Sequence, residues 1–338
     1  MASTVLAPLR LGRYPTPVHR LAELSAPGCD LWIKRDDLTH DVYGGNKVRK
    51  LEHLLAAARK SGATTLVTVG AGGSHHVLAT TYFGKLDGFA VEAILVPQPR
   101  TEHAVEILRA SLALGLQPFP ERSWLTVPAA VSLRIAAGSR FIPLGGSSIA
   151  GTMGYVDAAR ELAAQVRQGA MPEPDVCVVA LGSGGTAAGL AAGFAELRMK
   201  TRVVGVCVSR PHALSEALAV YLARGCVRRA ARDPDLPLRL TFDARFLGAG
   251  YGHATILGDD ATHEAWDTSG LVLDPTYTAK AFAAALWQVR ARRAPCVLYW
   301  HTLSSAPIRP LMKLTPGAAD DAALDVTVRA LFGSPRFS

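Results

Sequence analysis

The 338-residue sequence lacks paired cysteines, long apolar runs and low-complexity segments. Its five cysteines are widely spaced without a C-x-x-C pair, and H-E-x-x-H and EF-hand patterns are missing, so we expect no bound metal. No uncharged apolar run approaches the roughly 18 residues that a membrane helix needs. The N-terminal segment lacks the continuous apolar region of a signal peptide. These absences favour a cytoplasmic protein with reduced cysteines and no membrane partner.

The composition is that of an ordinary globular protein, with 49% hydrophobic and 19% charged residues. The formal net charge is +8, and the densest basic run lies at residues 224–239. Acidic residues interrupt this run and no aromatic residue lies within it, which is typical of a solvated surface. We therefore predict no nucleic-acid partner. The length of 338 residues favours two domains, or one large α/β domain with an insertion.

Strand-like and helix-like segments alternate along the chain, with a proline-rich break at residues 171–175. Continuous apolar strands that alternate with helices favour parallel sheets covered on both faces. The pattern therefore predicts two α/β units. Strands are expected at 31–35, 64–69, 91–96, 140–144, 176–181, 202–208 and 296–302. Helices are expected at 45–60, 75–87, 101–115, 127–137, 153–168, 186–198, 212–224, 259–268 and 276–291.

A glycine-rich turn directly follows the strand at 176–181 and opens a helix. Backbone N–H groups in such a turn, together with a helix N-terminus, favour a phosphate. The expected phosphate residues are Gly182, Ser183, Gly184, Gly185 and Thr186. The spacing also fits a loose dinucleotide pattern, but the next strand ends without the acidic residue that NAD requires. An NADP-dependent oxidoreductase is therefore the second interpretation.

A second glycine-rich turn, at residues 68–81, also enters a helix. Ser74 stands at the expected helix start, where its N–H and hydroxyl would be free to bind an anion such as a carboxylate. The alternative is a serine that only caps the helix, which is the commoner role for serine at this position. His75 and His76 are adjacent on the helix, so their side chains diverge and do not readily chelate one ion.

Lys47 lies in the first turn of the helix at 45–60, after the glycines of "DVYGGNKVRKLE". The helix macrodipole disfavours a cation there, and both the dipole and burial lower the pKa of an amine. A lysine of lowered pKa, a phosphate site and a carboxylate site are the parts that pyridoxal 5'-phosphate requires. We therefore predict this cofactor and a small amino-acid substrate.

Several motifs in order along the chain resemble one family of pyridoxal-phosphate enzymes. They are "GRYPTPVHRL", "LWIKRDDLT", "GGNKVRKLE", "PLGGSSIAGTMGYVDAARELA", "GSGGTAAGL", "GAGYG" and "LDPTYTAKA". Together they are similar to D-cysteine desulfhydrase and 1-aminocyclopropane-1-carboxylate deaminase. The resemblance implies an α/β, two-domain fold of the tryptophan synthase β type (fold type II) with mostly parallel sheets. It also implies a homodimer, a larger phosphate-binding domain of residues 1–50 and 166–338, and a smaller domain of residues 51–165.

The resemblance implies roles for particular residues. Lys47 matches the lysine that binds the cofactor, and Ser74 the serine that contacts the substrate carboxylate and takes part in proton transfer. The catalytic set is Lys47, Ser74, Tyr251 and Tyr277, and the last three with His76 would bind substrate. The cofactor set is Lys47, Asn46, His75, Gly182, Ser183, Gly184, Gly185, Thr186, Thr278 and Thr302.

Two positions favour one branch of the family over the other. The deaminase branch carries Glu and Leu where this chain has Thr278 and Thr302, and the pair of hydroxyls resembles the desulfhydrase branch. Threonine beside the pyridine nitrogen would leave it neutral, which suits elimination of a good leaving group such as thiolate. We therefore predict α,β-elimination that gives a keto acid and ammonia.

Three departures from the family pattern leave other reactions open. His75 replaces an asparagine that contacts the cofactor, Leu303 stands in place of a glycine, and Ala279 replaces another glycine. The alternatives are a deaminase, a β-replacement enzyme or a racemase in a biosynthetic pathway. A relative that binds the cofactor without catalysis is a further alternative.

Overall fold

The computed structural model describes residues 7–231, 233–312 and 321–332. The chain divides into two compact units. The small unit comprises Met1–Leu11, Leu51–Gly146 and Ala306–Ser338, and the large unit comprises Gly12–Lys50 and Ser147–Ser305. Within the described residues, no helix has the length and apolar character to cross a membrane.

The described residues form ten strands and eleven α-helices. The strands are β1 (Val18–Arg20), β2 (Asp30–Arg35), β3 (Thr65–Ala71), β4 (Ala90–Val96), β5 (Gln117–Pro120), β6 (Ser139–Ile142), β7 (Val176–Leu181), β8 (Arg202–Cys207), β9 (Leu240–Asp243) and β10 (Cys296–His301). The helices are α1 (Asn46–Lys60), α2 (His75–Leu86), α3 (Glu102–Ala113), α4 (Val127–Arg134), α5 (Ile149–Arg167), α6 (Gly185–Glu196), α7 (His212–Ala230), α8 (Ile256–Ser269), α9 (Thr278–Arg290), α10 (Arg309–Met312) and α11 (Asp321–Phe332).

Each unit contains one sheet. The large unit has six strands in the order β1-β2-β10-β7-β8-β9, all parallel except the antiparallel pair of β1 and β2. The small unit has four parallel strands in the order β5-β4-β3-β6. The predicted α/β class with mostly parallel sheets is therefore confirmed.

Both faces of the large sheet are buried by helices. On β7, Val176 and Val178 face the core shared with α8 and α9, whereas Cys177 and Val179 face the core shared with α5, α6 and α7. This alternation explains why β7 is apolar throughout, as strands covered on both faces usually are. The carboxyl end of β7 leads directly into the glycine-rich turn.

The strands that the sequence pattern missed are β1, β5 and β9, and each lies at an edge of its sheet. Edge strands are short and half exposed, so they carry no continuous apolar run. In β5, Pro118 and Pro120 also argue against a strand, although proline is tolerated at an edge. The helices α10 and α11 were not predicted either.

The predicted domains differ from the compact units in residues 1–11, 147–165 and 306–338. The whole of α5 belongs to the large unit, because small residues let it pack closely on α6. A Cβ on Gly193 would lie 2.5 Å from Cβ of Ala159, and one on Gly189 would lie 2.4 Å from Cβ of Tyr155. The proline-rich break at residues 171–175 lies after α5, so the composition does not mark a domain boundary before this helix.

Asp36, which follows β2, is the centre of a buried polar network in the large unit. Its carboxylate accepts from Arg49 Nη2 at 2.8 Å and Nε at 2.9 Å, and from Thr16 Oγ1 at 2.9 Å. Tyr155 of α5 and Trp300 of β10 also donate to it, at 2.7 and 2.8 Å. One carboxylate therefore joins α1, α5 and β10.

Charge pairing compensates for the burial of this network. Burial by itself would raise the pKa of Asp36, but the charge and hydrogen bonds of Arg49, together with Lys34 and Trp300, offset this and hold that pKa below its usual value. Arg49 also donates to Glu161 at 3.0 Å, and the buried Lys34 pairs with the same carboxylate. Removing one member would leave a buried charge without its partner, which is costly.

We expect Asp36→Asn to lower the free energy of unfolding by about 3 to 5 kcal/mol, because the buried cations Arg49 and Lys34 would then share the single carboxylate of Glu161. The matched control is Asp41→Asn, which removes a solvent-exposed ion pair with Arg13 and should cost less than about 1 kcal/mol. Urea denaturation at neutral pH measures both. Because the pKa of Asp36 is lowered by folding, its stabilising effect should disappear as the pH falls through the folded-state value. Equal losses in the two variants would contradict this account.

Candidate functional site

The turn before α1 is held by the end of β10. Gly45 has a φ of +94°, and a Cβ there would lie 2.7 Å from the carbonyl oxygen of Thr302. The same carbonyl accepts from the Asn46 N–H at 3.0 Å. Gly44 N–H donates to Ser304 Oγ at 2.9 Å. Glycine is therefore required at Gly45, and Thr302 fixes where α1 begins.

Lys47 extends from the first turn of α1 beside its neighbour Asn46. Its Nζ donates to Asn46 Oδ1 at 2.9 Å, and Asn46 Nδ2 donates to Thr186 Oγ1 at 3.1 Å. Burial lowers the pKa of Lys47 to about 8, against the opposing effect of the Asp274 carboxylate. A substantial fraction of this amine is therefore neutral near pH 8, which is the form that attacks an aldehyde.

The glycine-rich turn forms a small polar cradle at the start of α6. Gly184 adopts a φ of +83°, and Ser147 Oγ accepts from the N–H of Gly185 at 3.2 Å. Ser147 Oγ also lies 2.7 Å from Ser183 Oγ and accepts from Lys50 Nζ at 3.3 Å. Hydroxyls, a backbone N–H and the Lys50 amine thus meet at one point.

The donors of this cradle fit a phosphate. A Cβ on Gly185 would lie 2.6 Å from Ser147 Oγ, 2.9 Å from Lys50 Nζ and 3.1 Å from Thr152 Oγ1, so only glycine leaves the cradle open. The buried Thr152 hydroxyl has no hydrogen-bond partner among the described residues. The unpaired Thr152 hydroxyl lies beside the Lys50 amine and the N-terminus of α6, and this set of donors favours binding of an anion.

Lys50 was not among the residues predicted from the sequence. It is fully buried, and burial together with the like charge of Lys47 lowers its pKa well below the usual value. The pattern that could have identified it is the spacing of Lys47 and Lys50, because residues three apart share one face of a helix. Ser147 and Thr152 carried no comparable pattern.

Tyr251 and Tyr277 form a pair beside the glycine-rich turn. Tyr277 OH donates to Tyr251 OH at 3.0 Å, and the rings meet edge to face. A Cβ on Gly182 would lie 3.1 Å from Cε1 of Tyr277. Burial raises the pKa of both phenols. Lys280 Nζ supports Tyr251, because it donates to the carbonyl oxygens of Leu247 and Gly250 at 3.0 and 2.8 Å.

Thr278, at the start of α9, is bound reciprocally to Asp274. Its hydroxyl donates to Asp274 Oδ2 at 2.7 Å and accepts from the Asp274 N–H at 2.7 Å. The Asp274 carboxylate also accepts from the N–H groups of Thr276 and Tyr277. Asp274 was not among the residues predicted from the sequence, although Asp before Pro at a helix start is a capping signal. The Thr278 hydroxyl therefore uses its proton in the hydrogen bond to the Asp274 carboxylate.

In the small unit, Ser74 caps α2. Its hydroxyl accepts from the Val77 N–H at 3.4 Å, and its own N–H donates to the Ala71 carbonyl at 3.1 Å. The sequence predicted a Ser74 N–H free to bind an anion, and this is wrong because the tight turn after β3 uses that N–H. The hydroxyl can still donate a proton while it accepts from Val77.

The two histidines that follow Ser74 have different partners. His75 Nε2 lies 2.9 Å from His103 Nε2 at the start of α3. His76 Nε2 lies 2.9 Å from Thr68 Oγ1, whose proton goes to the Ile142 carbonyl, so His76 donates to this hydroxyl. The two imidazoles of His75 and His103 must share one proton between the facing nitrogens, because one donates and the other accepts. His103 was not predicted from the sequence.

A family model described as pyridoxal-phosphate dependent enzyme matches residues 9–296. A D-cysteine desulfhydrase of Salmonella paratyphi A is 37% identical over 291 residues, which cover 82% of this chain and 87% of that protein. The D-cysteine desulfhydrase of Salmonella paratyphi B is 36% identical over 291 residues, which cover 82% of this chain and 87% of that protein.

Solved structures agree with this result. The crystal structure of an ACC deaminase homologue superposes with a TM-score of 0.79 at 29% identity and covers 93% of this chain and 100% of that chain. A threonine deaminase from Solanum lycopersicum, with a TM-score of 0.61 and 16% identity, covers 90% of this chain and 84% of that chain and shares the fold alone.

The chain belongs to the pyridoxal-phosphate-dependent enzyme family. The predicted resemblance, the type II fold, the cofactor and an enzyme of the lyase or deaminase kind are confirmed. When bound, pyridoxal phosphate withdraws electrons from the substrate's α-carbon. The cradle around Gly185 has the donors for its phosphate, and Lys47 has an amine of suitably lowered pKa.

We expect Lys50→Met to weaken binding of pyridoxal phosphate by about 10- to 100-fold, since a charge-assisted hydrogen bond to phosphate is lost. The matched control is Lys60→Met, at an exposed position of the same helix, which should bind as the wild type does. Apoenzyme is titrated with pyridoxal phosphate and, separately, with pyridoxal, which lacks the phosphate. If Lys50→Met weakens binding of both aldehydes equally, Lys50 does not act on the phosphate.

The pKa of Lys47 near 8 also predicts the pH dependence of cofactor capture. Only the neutral amine attacks an aldehyde, so the rate of capture by apoenzyme should rise with pH and level off above about 8. Stopped-flow absorbance with pyridoxal measures this rate without a titrating phosphate. A rate that keeps rising up to pH 10 would mean that the Lys47 amine is not desolvated.

Proposed function

We propose that this enzyme catalyses α,β-elimination from a small β-substituted amino acid, with D-cysteine as the leading substrate. The observation that carries the proposal is the neutral-prone amine of Lys47, hydrogen-bonded to Asn46 and next to a phosphate cradle. The D-cysteine desulfhydrases at 36 to 37% identity support the substrate. The hydroxyls of Thr278 and Thr302 also favour that branch over the deaminase branch.

We propose two groups of cofactor residues. Lys47, Asn46 and the turn from Gly182 to Thr186 would hold the aldehyde and phosphate ends, with Lys50 added to the phosphate donors. His75, Thr278 and Thr302 would contact the ring. Because the Thr278 proton goes to Asp274, the oxygen of Thr278 would act as an acceptor. That would favour a protonated ring nitrogen, unlike the neutral nitrogen expected from threonine alone.

In the proposed reaction, Lys47 Nζ removes the proton from the substrate's α-carbon. Its pKa of about 8 keeps enough of the amine neutral to act as a base near neutral pH. Ser74 Oγ would donate to the substrate carboxylate. His76 would also bind the substrate, as the resemblance implies.

Tyr251 is the proposed acid for the leaving group. Tyr277 donates its proton to Tyr251, so the Tyr251 proton remains for another acceptor. Burial raises the pKa of Tyr251 and keeps it protonated. With D-cysteine, the α-proton goes to Lys47, the C–S bond breaks, and the sulfur leaves with a proton as hydrogen sulfide. One water then releases pyruvate and ammonia.

Deamination, β-replacement and racemisation remain the alternatives, because each uses the same base and cofactor. One feature favours a substrate other than D-cysteine. His75, which is paired with His103, stands where the family resemblance leads us to expect asparagine. Leu303 is buried at a position that the resemblance gives to glycine. A bound cofactor without turnover of any amino acid would instead indicate a non-catalytic relative. The family assignment removes the reason for the NADP alternative.

We further propose a cytoplasmic homodimer that acts on a small amino acid. All five cysteines are free and buried, as expected in a reducing compartment. The dimer rests on the family resemblance. Size-exclusion chromatography with light scattering tests it.

Purified enzyme should release pyruvate and sulfide from D-cysteine faster than from L-cysteine. Lys47→Ala should lower kcat by at least about 1,000-fold, because the base is lost, whereas Lys60→Ala on the same helix should keep the wild-type rate. Coupled keto-acid assays over a panel of D- and L-amino acids measure both effects. Turnover of an L-amino acid alone, or full activity of Lys47→Ala, would contradict the proposal.

A further inference from the structure

A second group of ligand-type side chains lies in the large unit at the carboxyl end of β8. Cys207 is the last residue of β8, and His212 and Glu216 lie in the first two turns of α7. The three ligand atoms lie within 4.8 Å of one another. Cys207 Sγ is 3.5 Å from Glu216 Oε1, and His212 Nδ1 is 2.8 Å from that same oxygen.

We propose that Cys207, His212 and Glu216 bind one Zn²⁺ ion. Zinc takes sulfur, nitrogen and oxygen ligands at about 2.0 to 2.3 Å, which separates the ligand atoms of a tetrahedral site by roughly 3.2 to 3.8 Å. The sulfur–oxygen distance already lies in this range, and the nitrogen–oxygen distance needs to lengthen by a fraction of an ångström. A water molecule would complete the four ligands.

The chemistry of the three groups selects a borderline ion such as zinc. A thiolate disfavours Mg²⁺ and Ca²⁺, whereas a carboxylate and an imidazole are compatible with Zn²⁺. The two negative charges of the thiolate and carboxylate balance those of the ion, so the half-buried site is neutral. In the metal-free protein, burial and then the hydrogen bond to Glu216 raise the pKa of Cys207 to about 12. Zinc therefore displaces the thiol proton, which is released to solvent.

No metal was expected from the sequence, because it contains no C-x-x-C, H-E-x-x-H or EF-hand pattern. The actual spacing is one cysteine, four intervening residues, a histidine, three intervening residues and a glutamate. Histidine and glutamate four apart share one face of α7. The cysteine comes from another element, so only the fold brings it to that face.

The position of this group suggests a structural ion. A Cβ on Gly184 would lie 3.0 Å from Cβ of Ala219 on α7, so α7 packs under the start of α6. Val208, directly after Cys207, lies 3.8 Å from a Cβ on Gly182. An ion bound by Cys207 of β8 and by His212 and Glu216 of α7 would therefore hold α7 in place, and α7 packs against the glycine-rich turn. The proposal does not depend on which substrate the enzyme uses.

The test uses the full-length, cofactor-loaded enzyme, reduced and stripped of metal. Zinc binding is measured by competition with a chromophoric chelator, and metal content after dialysis gives the stoichiometry. Cobalt(II) in place of zinc reports the ligands, since its visible bands lie at longer wavelengths than those of the cofactor. We expect one zinc per chain, a tetrahedral cobalt spectrum and a higher Tm with zinc.

Each of Cys207→Ser, His212→Ala and Glu216→Gln should weaken zinc binding by at least about 10-fold, given that even loss of an outer-shell group costs 10- to 100-fold. Side chains of His212 and Glu216 are 46% and 27% exposed, so these variants should fold even if Cys207→Ser does not. The matched controls are Cys226→Ser, also in α7, and His263→Ala on α8, which should bind zinc as the wild type does.

The proposal is overturned if the wild type shows no saturable binding at micromolar zinc. It is equally overturned if His212→Ala and Glu216→Gln bind zinc with wild-type affinity, which would place the ion elsewhere on the chain. A wild-type cobalt spectrum that is octahedral and free of thiolate would also contradict it.

Discussion

The large unit is organised around the buried carboxylate of Asp36. This one group binds Arg49 of α1, Tyr155 of α5 and Trp300 of β10, so it fixes the elements that carry the proposed reactive residues. Lys47 lies two positions before Arg49 on α1, and Thr302 follows Trp300 by two positions. A buried charge is stable only when its partners stay in place. The network therefore imposes a single position on the start of α1, and with it on the Lys47 amine.

Desolvation is the shared cause of the unusual protonation states around Lys47. Burial lowers the pKa of Lys47 and Lys50 and raises that of Tyr251 and Tyr277. The same physical effect thus favours the neutral amine of Lys47 and Lys50 and the protonated phenols of the two tyrosines. An anion bound beside Lys50 would restore the charge of its amine. The proposed acid and base roles follow from where each side chain lies, and no unusual residue type is required.

The sequence predicted what depends on local pattern and failed where distant groups meet. Buried strands such as β7 and the glycine-rich turn after it are visible in the sequence, because apolar runs and clustered glycines carry that information. The edge strand β5 is not, since it is short and contains prolines. Ser147 was missed because only the fold brings it to the glycine-rich turn. Lys50 and Asp274 carried local signals, a spacing of three from Lys47 and an Asp-Pro pair before a helix, but only the fold shows which groups their side chains meet. The Ser74 N–H was misjudged because its use by Ala71 depends on the exact turn.

The central claim is that Lys47 is the residue that carries the cofactor and acts as the base. Reduction of the yellow enzyme with borohydride, followed by peptide mapping, tests it most directly. We predict one pyridoxyl group per chain, on the peptide that contains Lys47, in the wild type and in Lys60→Ala alike. A colourless enzyme, or a label found on Lys50 or another lysine while Lys47 stays unmodified, would contradict the account.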